Sequence, residues 1–267
     1  MKTLVCLKQI LDPEISPRDF QIDSSRLQAA VGSANLVTNI FCENALETAL
    51  QFGEQQGGEI TALTFGGESS EESLRKALAL KVDHACRIDD DGIGRSGSDS
   101  TAIVLSAAIR KLGAFDLILL GREAGDWGEG RTAGLVAEHL GLPFVSFVDR
   151  IDSDSEGTRL GRQTDFGREQ LNVQLPLVLS ITNHDGNVPR IPKTRDIMKA
   201  HRKEITTWSL QDLGVDAEVV RRASIATQVV ALAVPERTSE CEFVSGDTSE
   251  ERIAAFAERV AATLRTV

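Results

Sequence analysis

The chain contains no tyrosine, and aromatic residues make up only 4% of its 267 positions. A surface that stacks the bases of single-stranded nucleic acid needs aromatic rings, so that class of function is excluded. Positive charge is also short: lysine and arginine number 29 against 40 acidic residues, a formal net charge of −11 at pH 7. Such a surface does not attract nucleic acid or an anionic membrane. Long hydrophobic runs are missing too. The run VVALAV (Val229–Val234) falls far short of the roughly 20 residues a membrane span needs. The opening MKTLVCLKQILDPE reads as a strand and lacks the long apolar region and small-residue cleavage site of a secretory signal. We expect a chain that binds no nucleic acid, is not membrane-embedded and is cytoplasmic.

Cysteine is scarce. Cys6, Cys42, Cys86 and Cys241 show no CxxC spacing and no paired histidine cluster, so no metal site is expected. They read as free thiols of a reducing compartment. His84, His139, His184 and His201 are scattered, and neither a GxSxG motif nor a Cys/His pair stands out. No catalytic residue is expected. The chain reads as a binder that hosts a cofactor's chemistry and not as an enzyme in its own right.

What is present is alternation. Strand-like runs at Thr3–Ile10, Glu59–Phe65, His84–Asp89, Phe115–Gly121 and Phe144–Ile151 are separated by segments of helical period. Ala45, Leu46, Ala49 and Leu50 share one helical face, and Ile103, Val104, Ala107 and Ala108 another. Ser69 and Glu72 form a capping-box signature. This order predicts βαβ units and an α/β, doubly wound, mostly parallel sheet. After Ile151 the pattern predicts antiparallel strands with turns at Glu156-Gly157 and Phe166-Gly167, then a buried strand at Pro176–Thr182. Residues from about 205 to 247 read as an extended C-terminal arm. Thr248 and Glu251 then cap a terminal helix with Ile253, Phe256, Ala257, Val260 and Leu264 on one face. That face needs a cover, either its own domain or another subunit. The expected division is an α/β nucleotide-binding domain over 1–204 and an arm with a helix over 205–267.

The stretch GREAGDWGEGRTAG (Gly121–Gly134) follows the apolar run FDLILL and carries five glycines. Ligands of doubly wound sheets bind outside the carboxyl ends of the strands. A glycine-rich turn leading into a helix offers backbone N–H groups and a positive dipole end to an anion. Arg122 or Arg131 would add charge-assisted bonds, Thr132 a hydroxyl, and Asp126 an acceptor for a ribose or for the loop itself. The spacing is neither a P-loop nor GxGxxG, so an ordinary turn remains the alternative. Arg190, Lys193, Arg195, Lys199, Arg202 and Lys203 form a basic cluster, read as a solvated face or as a patch for an acidic partner or phosphate.

Six stretches in register resemble the beta (small) subunit of electron transfer flavoproteins: LVCLKQILD, NIFCENALETAL, LRKALALKVDHACRI, DLILLGREAGDWGEGRTAG, the run from Gly167 to Ile205, and DLGVD at Asp212–Asp216. They span roughly residues 1–216. The resemblance implies a fold like that of adenine nucleotide hydrolases. It also implies a heterodimer with an alpha subunit that holds most of the FAD. Buried AMP, or a second FAD in bifurcating members, would sit in this chain. Electrons would come from a flavin dehydrogenase and leave to a quinone reductase or other acceptor. By matching motif, the nucleotide contacts fall on Cys6, on Asn39, Ile40, Phe41 and Cys42, and on Phe65. The phosphate loop falls on Ala124, Gly125, Asp126, Trp127, Gly128, Glu129, Gly130, Arg131, Thr132, Ala133 and Gly134. Partner docking falls on Asn183, His184, Asp185, Gly186, Asn187, Val188, Pro189 and Arg190. The chain departs from the pattern at Ile40 (usually proline), at Trp127 and Gly128, and at Arg131–Ala133. Asn183, His184 and Asp185 stand where well-known members carry an apolar leucine. Two other classes stand as alternatives: a free-standing adenine-nucleotide-binding module resembling universal stress proteins, which shares the early βαβ pattern, and a nucleotide-hydrolysing or adenylate-forming enzyme, for which no P-loop lysine or clear metal-carboxylate pair is found.

Overall fold

The first strand shows how the sheet is built. In β1 (Lys2–Leu7), Leu4 and Cys6 enter one core and Val5 and Leu7 another. Period-two alternation of apolar residues on both faces is what a sheet covered on both sides requires. The computed structural model describes residues 1–16, 18–25, 27–30, 35–90, 97–155, 157–224, 229–234 and 241–265. Short pieces follow β1: β2 (Gln9–Leu11), β3 (Ile22–Asp23), β4 (Gln28–Ala29) and β5 (Leu36–Thr38). Then come α1 (Ile40–Gln56), β6 (Glu59–Phe65), α2 (Glu71–Ala79), β7 (His84–Ile88), α3 (Ser98–Leu112), β8 (Leu117–Gly121) and α4 (Thr132–Leu140). The second half adds β9 (Phe144–Asp154), β10 (Gly157–Thr164), β11 (Gly167–Val173), β12 (Leu177–Ile181), α5 (Thr194–Ala200), β13 (Thr206–Trp208), α6 (Ala217–Ser224) and α7 (Ser249–Leu264).

Nine strands form one sheet in the order β11-β10-β9-β12-β8-β1-β6-β7-β13. All neighbours from β9 through β13 are parallel, and the β9-β10-β11 end is antiparallel, as the sequence predicts. Residues of α1 and α2 pack with Val5, Leu117, Leu119 and Leu179 on one face. Residues of α3, α4 and α6 pack with Leu4, Ile118, Leu120 and Val178 on the other. This is the expected α/β doubly wound architecture.

Several local expectations are corrected. The run Thr3–Ile10 is two strands, because the chain breaks pairing at Lys8 where β1 leaves the sheet. The helix expected from Glu43 begins at Ile40, and the one expected from Gly130 begins at Thr132. The Ser69/Glu72 capping box does not form. A short 3-10 turn covers Glu68–Ser70, and the Ser70 hydroxyl donates to Gly67 O at 2.7 Å, so α2 starts one residue later without a side-chain cap. On α3, Val104 and Ala108 are buried but Ile103 and Ala107 only partly so; packing against α4 and α6 as well as the sheet turns the helix toward Ala102, Leu105 and Ile109. The expected arm opens with ordered elements: β13 adds to the sheet edge beside β7, and α6 buries Val220. The turn residue Glu156 lies outside the described residues.

Two compact units result, Met1–Ala231 and Leu232–Val267. The second holds α7, whose Thr248 hydroxyl accepts from Glu251 N–H at 3.2 Å while the Glu251 carboxylate accepts from Thr248 N–H, the expected capping box. Ile253, Phe256, Val260 and Leu264 are all exposed.

Leu119, fully buried in the middle of β8, contacts the core beneath α1. Leu119→Ala is expected to lower unfolding free energy by about 2–5 kcal/mol, read from the urea midpoint at unchanged slope.

Candidate functional site

The central strand β1 has β6 on one side and β8 on the other, so the winding reverses at the β1/β8 junction. Crevices at such switch points are where α/β sheets bind ligands. A cavity of about 220 Å³ opens there. Cys6, Leu7, Leu120 and Gly121 line it from the strand ends, Phe65 and Gly66 from the end of β6, and Asn39 and Cys42 from the start of α1. Ser98, Thr101 and Leu105 of α3 line it too, as do Ala124, Trp127, Glu129, Gly130 and Thr132 of the glycine-rich loop and α4.

A buried amide fixes the loop. Asn39 is fully buried before the first turn of α1. Its Nδ2 donates to Glu123 O at 2.8 Å, and its Oδ1 accepts from Gly125 N–H at 3.0 Å. Both ends of the side chain are thereby satisfied, as burial demands. Gly121 lets the strand end approach α1: a Cβ there would lie 2.8 Å from the Phe41 carbonyl carbon. Gly128 and Gly130 take φ of 62° and 65°, the left-handed region that glycine enters without steric cost. Asp126 orients the loop instead of facing the cavity. Its carboxylate accepts from Lys8 Nζ at 2.7 and 2.8 Å and from Trp127 N–H at 2.9 Å.

Two helix starts meet the cavity, those of α3 and α4. Thr132 Oγ1 donates to Ser98 Oγ at 3.2 Å, and Ser98 N–H donates to the Glu129 carboxylate at 3.1 Å. Arg131 does not line the cavity; its Nη2 lies 2.9 Å from Asp99 and 3.7 Å from Glu129, so its charge is compensated locally. Arg122 does line it. The guanidinium packs on the Phe41 ring at 4.3 Å and within 5.8 Å of the Phe147 ring, and Nη1 donates to Thr182 Oγ1 at 3.2 Å.

Of the residues expected from the sequence, Cys6, Asn39, Cys42, Phe65, Ala124, Trp127, Glu129, Gly130 and Thr132 come together on the cavity wall. Ile40 points to the surface, and Ala133 enters the core under α3. Phe41 supports Arg122, and Gly134 sits against Phe144. Gly125 binds Asn39, and Gly128 only shapes the turn. Sequence reasoning missed Lys8, Ser98 and Thr101. Residues 97–101, Gly-Ser-Asp-Ser-Thr, carry a helix-start signature that could have revealed the last two. Burial pushes the Cys6 and Cys42 thiols well up, and Cys86 to about 12.

The segment expected to dock a partner follows β12 and lies on α1. Asn187 is buried; its Nδ2 donates to Thr182 O at 2.9 Å, and its Oδ1 accepts from His184 N–H at 2.8 Å. Asn44 Nδ2 donates to Asn187 O at 3.0 Å. Arg190 closes on the buried Glu47, Nε at 2.7 Å and Nη2 at 2.8 Å, and on Glu54, which raises the guanidinium pKa and lowers that of Glu54.

A family model described as electron transfer flavoprotein domain matches residues 30–213. The electron transfer flavoprotein subunit beta of Mycobacterium tuberculosis is 31% identical over 237 residues, 85% of this chain and 86% of its own. The caffeyl-CoA reductase-Etf complex subunit CarD of Acetobacterium woodii is 31% identical over 252 residues, 94% of each chain. The electron transfer flavoprotein subunit beta of Bacillus subtilis is 30% identical over 253 residues, again 94% of each.

Gly121→Ala drives a methyl into the first turn of α1 and is expected to cost about 1–3 kcal/mol of stability, measured by denaturant unfolding. Thiol titration at pH 8 checks the burial. Cys241 is exposed and should react promptly with Ellman's reagent. Cys6, Cys42 and Cys86 should react only after unfolding, because burial keeps them protonated and inaccessible. Two or more fast thiols in the folded chain would contradict it.

Proposed function

The chain belongs to the electron transfer flavoprotein family, among its beta subunits, and on that premise we propose that it pairs with an alpha subunit and binds AMP in the switch-point cavity. In this reading the alpha subunit holds most of the FAD and this chain helps to hold it. Electrons arrive from a flavin dehydrogenase and leave to a quinone reductase or another acceptor. FAD would supply all the redox chemistry when bound. This chain's residues bind, orient and shield, and make no bond themselves.

The observation that carries the nucleotide assignment is the cavity and its donor set. Ser98, Thr101 and Thr132 lie in the first turns of α3 and α4 and would offer their hydroxyls to a phosphate, while the Ser98 N–H is taken by Glu129. Phe65, Leu105 and Leu120 supply an apolar wall for a base. Asn39 and the glycines hold the loop close enough for backbone contact. Lys8 and Arg122 stand at the rim, the first paired with Asp126 and the second with Glu123. The exposed apolar face of α7 is then the part of the C-terminal arm that packs on the alpha subunit.

The test is to co-express the chain with its alpha partner, denature the purified complex and quantify FAD and AMP. One of each per heterodimer is the expected result. Two FAD and no AMP would replace AMP by a second flavin. A complex without flavin would sink the reading. A chain that elutes alone, without flavin, and binds ATP would point to the free-standing nucleotide-binding module.

A further inference from the structure

The amino end of α3 brings no side-chain cap of its own. The residue before it, Gly97, has no side chain with which to accept from the first N–H groups of the helix. A carboxylate 31 positions further along takes that place: Glu129 Oε2 accepts from Ser98 N–H at 3.1 Å. Carboxylate and phosphate oxygens seek the same partners at a helix start, N–H donors and the positive end of the dipole. Glu129 and Ser98 both line the switch-point cavity, with Thr101 and Thr132 beside them. Glu129 therefore holds a donor that a phosphate bound among these hydroxyls would also use.

A second carboxylate stands close by. Asp99 lies in the first turn of α3, and Arg131 Nη2 reaches it at 2.9 Å. Arg131 Nη2 is also 3.7 Å from Glu129 Oε2, the same oxygen that accepts from Ser98. Glu129 thus has two seats within reach, one on α3 and one in its own loop. Gly128 and Gly130 flank it, both in left-handed backbone, where a change of φ and ψ meets no Cβ. A phosphate dianion entering beside two carboxylates is repelled unless one of them gives way. Asp99 is part of a helix, so Glu129, between two glycines, is the one free to turn.

Given the AMP reading proposed above, we infer that Glu129 is an internal competitor for the nucleotide's phosphate. It caps α3 before nucleotide binds, yields the Ser98 N–H to the phosphate, and passes to Arg131. Glu129 is then a specificity-determining residue, because it penalises the phosphate and not the nucleoside that carries it. Arg131 is the receiver of the displaced carboxylate and not a ligand of the phosphate.

The test titrates nucleotide-free heterodimer with AMP and with adenosine in a calorimeter. Glu129→Gln keeps the size of the side chain and an oxygen that can cap α3, but removes the charge. It should tighten AMP about tenfold and leave adenosine within about twofold of wild type. Arg131→Gln should weaken AMP about fivefold in the otherwise wild-type chain and change nothing in the Glu129→Gln background, where no charged carboxylate remains to be received. Urea midpoints near that of wild type confirm folding. An unchanged ratio of AMP to adenosine affinity in Glu129→Gln would overturn the competition and leave the nucleotide site standing. Weaker AMP binding in Glu129→Gln would overturn it as well, since the carboxylate would then help to hold the ligand. A loss from Arg131→Gln that persists in the double variant would make Arg131 a direct phosphate ligand and overturn its role as receiver. A wild-type heterodimer that binds neither AMP nor adenosine would overturn the nucleotide reading and the competition together.

Discussion

One buried amide ties the site together. Asn39 is cut off from water, so both its donor and its acceptor must find partners inside the protein. It finds them in the backbone of the loop that leaves β8, at Glu123 O and Gly125 N–H. The glycine loop is thereby laid across the start of α1, and only a glycine at position 121 allows the strand to come that close. The cavity is the space that this closure leaves between the ends of β1 and β8 and the first turns of α3 and α4.

The same helix anchors the segment after β12. The amino end of α1 borders the cavity, and its middle turns present Asn44, Glu47, Thr48 and Gln51 to the segment after β12. Burying Glu47 would cost several kcal/mol if it were unpaired, and Arg190 offsets that with two direct hydrogen bonds. A rigid helix thus borders the cavity at one end and holds the segment after β12 further along, while the sheet keeps both in register.

Much of the fold was legible because its cause is local. Alternating apolar residues in β1 and the continuous Leu/Ile run of β8 report burial on two faces, and Thr248 with Glu251 reports a helix start. The failures have physical reasons as well. Ser69 and Glu72 have capping-box spacing, but a 3-10 turn shifted the start of α2 to the next residue. The elements β13 and α6 were missed because each is short, three and eight residues, with Val220 alone fully buried in α6. Within the site, the glycine loop was legible from its composition. Ser98 and Thr101 were not, because they reach the cavity only after the sheet brings α3 beside a loop some thirty residues away. Arg131 read as a phosphate ligand by its position in the loop, yet Asp99, a neighbour only in space, takes its charge.

We propose an adenine nucleotide held where β1 and β8 part. Amide hydrogen exchange of the heterodimer, stripped of nucleotide and then supplied with AMP, tests it most directly. Exchange should slow in Gly121–Gly134, in the first turn of α1 and in the first turn of α3, while the β10–β11 hairpin stays unchanged. Protection that appears elsewhere, or none at all at saturating AMP, would contradict it.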